Sequence, residues 1–151
     1  MPGDLAPGLG SRRPTGRALP GDSQVGPFER RSSLAGMEIL HLAHRADWDE
    51  ALVSGQYRTS TRGASLDDVG FIHASTRDQL PDVARTVHAD DTEELCVLVL
   101  DSATIEAAGT DVRLEDGGDG QMYPHVFGPI RPEWVLAVLP AVFGPDGELR
   151  F

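Results

Sequence analysis

A chain of 151 residues with 13 basic residues, all of them Arg, against 24 acids carries a formal net charge of −11, and its length points to one domain. The charge is uneven: residues 1–36 hold five Arg and three acids, whereas residues 37–151 hold eight Arg against twenty-one acids, a net of −13. A field of that sign repels polyphosphate backbones and argues against extended nucleic-acid binding, leaving at most an Arg for a single phosphate.

The single cysteine rules out an intrachain disulfide. No stretch approaches the ~20 apolar residues of a membrane span, and there is no apolar h-region of a secretory signal, so the expected compartment is the cytoplasm. Residues 1–36 contain seven Gly and five Pro without periodicity, a composition that predicts a disordered leader or upstream sequence ahead of a start at Met37. Residues 37–151 are expected to form the single domain.

From Met37 onward, strand and helix patterns alternate. Ile39 to Ala43 reads as a strand with Leu40 and Leu42 on one face and Ile39, His41 and Ala43 on the other. Asp47 to Ser54 reads as a helix with Trp48, Ala51 and Leu52 on its apolar stripe and Gly55 at its end. Residues 56–69 read as a long polar loop, of the kind that is usually functional or mobile. Phe71-Ile72-His73 reads as a second strand, with Phe71 and His73 on one face. Ser75-Thr76-Arg77-Asp78 is a capping-box-like start for a second helix reaching about His88.

Glu94 to Leu100 predicts a central strand buried on both faces, with Cys96 a buried, inert thiol. Asp111 to Glu115 predicts a strand and residues 116–120 a flexible turn. Tyr123 to Pro129 predicts a loop held rigid by two prolines. Trp134 to Phe143 reads as a long strand, turned by residues 144–147 into a short final one. Helices early and strands late predict an α+β fold.

Candidate chemistry centres on histidine. His41 and His73 occupy strand faces where a satisfied core residue is the plain alternative, and His125 sits in the proline-bounded segment. His44 and His88 stand at helix ends and read as exposed or capping residues. Three histidines at 41, 73 and 125 could meet at a metal, but no His-x₃-His or Cys-x₂-Cys core supports one, so no metal is expected. Ser75 lacks a Gly-x-Ser-x-Gly elbow. Glu115 is a candidate general acid or base, or else half of a surface ion pair with Arg113.

Ile39-Leu40-His41-Leu42-Ala43, Ala46-Asp47-Trp48, Gly55-Gln56-Tyr57, Gly70-Phe71-Ile72-His73-Ala74-Ser75 and Tyr123-Pro124-His125-Val126-Phe127-Gly128-Pro129 keep order and spacing over residues 38–142. Together they resemble a small bacterial family, domain of unknown function 952. The chain departs from it in Ala74, where the family often has Cys, and in His44, where Thr commonly caps the first helix.

That family is similar in turn to the ADP-ribosyltransferase-like fold, including the RNA 2′-phosphotransferases. The resemblance implies two small, mostly antiparallel sheets with a cleft between them, two helices near the N-terminal half, and NAD as substrate. It implies that His41 holds the ribose hydroxyls, that Ser75 lies on the pocket wall, and that Glu115 is the closest match to the transferases' catalytic Glu. His73, Tyr123 and His125 complete the expected binding set. The alternative is a non-catalytic domain binding a small nucleotide or metabolite.

Overall fold

The computed structural model describes residues 36–151, all within one compact unit; the leader reading for residues 1–35 lies outside the described residues. The alternating apolar pattern of Glu38–His44 (β1) pairs antiparallel with Leu95–Asp101 (β5), in a register running from Glu38 opposite Asp101 to His44 opposite Leu95. Ala137–Phe143 (β8) pairs with the other edge of β5, and Leu149–Arg150 (β9) closes the sheet in the order β9-β8-β5-β1. Strand alternation divides the apolar residues into two cores. Ile39, Ala43, Cys96, Leu98 and Leu100 pack on one side with Trp48, Tyr57, Ile72 and Val126. Leu40, Leu42, Val97 and Val99 pack on the other with Leu80 and Ala84.

Between them in sequence come a helix Arg45–Ser54 (α1), a two-stranded ribbon of Thr59–Thr61 (β2) and Ala64–Ser65 (β3), and a single turn of helix, Leu66–Val69 (α2). Ile72–His73 (β4) follows, and then the helix Leu80–His88 (α3), whose Leu80 and Ala84 face the second core. After β5 come a short helix Ser102–Ala107 (α4), then Val112–Asp116 (β6) and Met122–Val126 (β7). These two strands and β4 make a three-stranded antiparallel sheet in the order β4-β7-β6. One face of that sheet, with Ile72, Val112 and Val126, lies in the first core.

The two larger sheets join at β1. Leu40 and Ser75 exchange both backbone hydrogen bonds at 2.8 Å, so the sheet curls round from β1 to β4. Directly paired residues share a face, which puts His73 on the Leu40 side of the curl and leaves His41 on the inner side, with Ile39 and Ala43.

The α+β class holds, but several expectations are corrected. The 56–69 loop contains β2, β3 and α2; Ser65 caps α2 by accepting the Asp68 N–H while Asp68 accepts the Ser65 N–H. The segment 123–126 is strand, not loop, and α4 in the second half has Asp101 as its N-cap, its carboxylate accepting the Ala103 N–H at 2.9 Å. Trp134 closes a 3₁₀ turn, Pro132–Trp134, and β8 starts only at Ala137.

Leu98 is wholly buried whereas Leu136 is 67% exposed. Leu98→Ala is expected to cost about 2–5 kcal/mol through lost transfer energy and a cavity, while Leu136→Ala stays within about 0.5 kcal/mol. Equal losses in urea denaturation would contradict this placement of β5.

Candidate functional site

Strand alternation puts Ile72, Pro124, Val126, Val112 and Leu114 on one face of the three-stranded sheet and His73, Tyr123, His125, Arg113 and Glu115 on the other. The pairing matches: His73 stands opposite His125, His125 opposite Arg113, and Tyr123 opposite Glu115. The first set includes core residues, so the second is turned outward. Phe71 and Phe127 flank it; the Phe71 ring stacks on His125 with centroids 3.9 Å apart, and the Arg113 guanidinium lies 4.4 Å over the Phe127 ring.

The structure brings four of the expected residues together here. His125 Nδ1–H donates to Glu115 Oε1 at 2.8 Å. The His73 ring centroid is 5.1 Å from that of Tyr123 and 5.5 Å from that of His125. Tyr123 donates its hydroxyl to Asp119 Oδ2 at 2.6 Å, and this bond lowers the Asp119 carboxyl and raises the Tyr123 phenol. Arg113 pairs with Asp111 at 3.0 Å, not with Glu115. A Cβ on Gly117 would lie 2.4 Å from the Tyr123 ring, so only glycine lets the 116–120 turn close over it.

Two open cavities meet at His73. One, of about 290 Å³, lies between α3 and the segment 117–123 and is lined by Val83, Val87, Asp82, Asp119 and Tyr123. The other, of about 300 Å³, is lined by Ser60, Thr61, Phe71, Asp116 and His125. His73, Val87 and Gly117 belong to both. They lie on the outer side of the curled sheet, under α3 and the β2–β3 ribbon, and not between the two sheets as the resemblance implied.

Neither ring nitrogen of His73 is hydrogen-bonded within the described residues. Burial, reinforced by the nearby His125, holds the imidazole at about 4, down from 6.5, against the opposing pull of Asp119; it is a neutral ring with both nitrogens available. Sequence reasoning missed Ser60, whose buried Oγ has no partner among the described residues and which borders the second cavity. A lone serine in a polar segment carries no local signal of this.

His41 is placed differently from expectation. It lies behind the site, 3% exposed, and both its nitrogens are taken. Nδ1 donates to the His73 carbonyl at 2.6 Å, which leaves Nε2 to accept the Tyr57 hydroxyl at 2.8 Å. Ser75, also buried, lines with His41, Ser60 and His73 only a void of about 10 Å³, at the lower limit for one water molecule. Nor are His44 and His88 exposed caps: His44 makes no side-chain cap bond, and the rings converge on Asp91.

The chain belongs to the family described as protein of unknown function (DUF952), whose model matches residues 42–138. No curated protein matches it. Among solved structures, the crystal structure of protein CC0527 from Caulobacter crescentus is 24% identical with a TM-score of 0.64, covering 76% of this chain and 94% of that one. The solution NMR structure of CC0527 is 23% identical with a TM-score of 0.60, covering 74% and 90%. At these identities the likeness is one of fold.

Burial holds the His41 imidazole at about 4 from 6.5, against the His73 carbonyl that favours its proton. Between those values the unfolded chain binds the proton and the folded one does not, so stability rises with pH across this window. The His41 contribution, about 3 kcal/mol, is fully present above pH 6.5 and lost as pH falls towards 4. His41→Gln should flatten that part of the pH–stability curve; an unchanged slope would contradict a neutral buried His41.

Proposed function

We propose that this DUF952-family protein handles a nucleotide through its ribose, as a transferase or hydrolase of ADP-ribosyltransferase-like type with NAD as substrate. The observation that carries the reading is the hydrogen-bonded His125–Glu115 pair on the same sheet face as the unpartnered imidazole of His73, where His73 lines both cavities and His125 lines the second.

The nicotinamide–ribose half binds over this face, its positively charged ring suited by Asp116 and Asp119, while the His73 nitrogens meet the sugar hydroxyls. His41, with both nitrogens engaged by protein groups, is a positioning residue that holds the His73 backbone. The bond from the nicotinamide nitrogen to the anomeric carbon breaks, and its electron pair leaves with neutral nicotinamide. Glu115, whose side chain is 40% exposed beside His125, stabilises the positive charge developing on the ribose. Water or an acceptor hydroxyl attacks the anomeric carbon, and its proton passes to Glu115. His125 keeps the carboxylate oriented.

One observation favours a second reading, a non-catalytic nucleoside or metabolite sensor. The cavity walls hold Asp82, Asp116 and Asp119 and no Arg, so neither cavity offers a lining cation to a pyrophosphate. Nucleosides would then bind as well as the full dinucleotide, with no product formed.

Calorimetry and nicotinamide release test both. His73→Ala should weaken NAD binding by about 1–3 kcal/mol, the cost of unpaired polar groups on the ligand. Glu115→Gln should leave binding almost unchanged and lower turnover by about 10²-fold or more, as expected of an interaction made mainly in the transition state. Binding of NAD or nucleosides without nicotinamide release would favour the sensor, and no binding of either at millimolar concentration would overturn both readings.

A further inference from the structure

We propose that His44, His88 and Asp91 form a binding site for a zinc-class divalent cation, separate from the His73 face and independent of the reading given for it. Three elements supply the ligands. His44 ends β1, His88 ends α3, and Asp91 lies in the turn after α3. His44 Nε2 lies 2.5 Å and His88 Nδ1 2.7 Å from the same oxygen, Asp91 Oδ2. The two rings stand edge to face at 90°, with centroids 5.4 Å apart. Two histidines and one carboxylate are a ligand set that zinc accepts, leaving a fourth tetrahedral position open.

The surroundings fix the ligands in place. Asp91 Oδ1 accepts the Glu93 backbone N–H at 3.0 Å, and the Asp91 N–H donates to the His88 carbonyl at 2.9 Å. Behind the His44 ring, Nδ1 faces Asp47 Oδ2 at 3.7 Å, beyond hydrogen-bond distance, so Asp47 contributes its negative charge to the site and does not lock the ring. The His88 and Asp91 side chains are only 4% and 3% exposed, while His44 at 16% forms the rim.

Without a cation, protons on the two rings bridge to Asp91. A cation replaces those protons, and the carboxylate must recede by less than about 1 Å to reach bond lengths of about 2.0–2.2 Å. Arg62 is the built-in competitor. Its Nε lies 3.4 Å from Asp91 Oδ2, while the same side chain binds Asp90 at 2.6 Å and the Val87 carbonyl at 2.9 Å.

The test is titration of the full, tag-free chain with Zn²⁺ by calorimetry, together with Co²⁺ absorption. One Zn²⁺ should bind per chain, Mg²⁺ should not replace it, and Co²⁺ should show the visible bands of a tetrahedral site. His44→Ala, at the rim, and the near-isosteric Asp91→Asn should abolish binding, with melting curves without metal confirming that each variant folds. Asp47→Asn should weaken binding only slightly, through loss of a nearby negative charge, and Arg62→Gln should tighten it. His73→Ala should leave it unchanged. Absence of zinc binding, or binding that survives His44→Ala and Asp91→Asn but vanishes in His73→Ala, would overturn the assignment.

Discussion

The structure depends on β1 serving two sheets at once. Its outer edge makes the Leu40–Ser75 backbone pair, and the ring of His41 holds the His73 carbonyl beside it. A carbonyl can only accept, so Nδ1 carries the ring proton and Nε2 is left as the acceptor for Tyr57. One neutral side chain thus links β1, β4 and the segment before β2 in a buried place where a charged imidazole would be costly. Lysine or glutamine could not supply one rigid donor and one rigid acceptor on opposite sides of a ring.

That junction decides where the polar face goes. Because Leu40 and Ser75 are directly paired, the residues of β4 that alternate with the core must turn to the side covered by α3. His73 and its cross-strand neighbour His125 follow from that parity, and Tyr123 and Glu115 follow from theirs. A histidine-bearing sheet face would ordinarily be washed by solvent. Here α3, the β2–β3 ribbon and the 116–120 turn stand over it, which is why His73 is driven to the neutral form while it stays reachable from two cavities.

Alternation made much of this legible. The two faces of β1, the doubly buried β5 and the shared face of Phe71 and His73 could all be read from periodicity alone. Pro124 concealed β7, since proline in a central strand argues against that assignment. It is tolerated because β4 ends at His73, so only the Pro124 carbonyl is called on, accepting the Ala74 N–H at 3.0 Å. Asp101 looked like the end of a strand when it was also the cap of α4. The roles of His41 and His44 were out of reach for a different reason. Which face a side chain occupies is local, whereas what it meets there is set by residues 16 to 47 positions away.

Helix α3 connects the two histidine sites physically. Its Leu80 and Ala84 pack in the second core, its Val83 and Val87 line the cavities, and its last residue, His88, bonds Asp91. Packing along the helix and anchorage at its end therefore set the width of the cavities together. Coupling between sites requires an element with two discrete arrangements, and α3 is a nine-residue helix seated in a close-packed core, which resists continuous displacement. The His44–His88–Asp91 cluster thus acts as a fixed anchor for the wall that faces His73, and the chemistry of that face is set by its own residues.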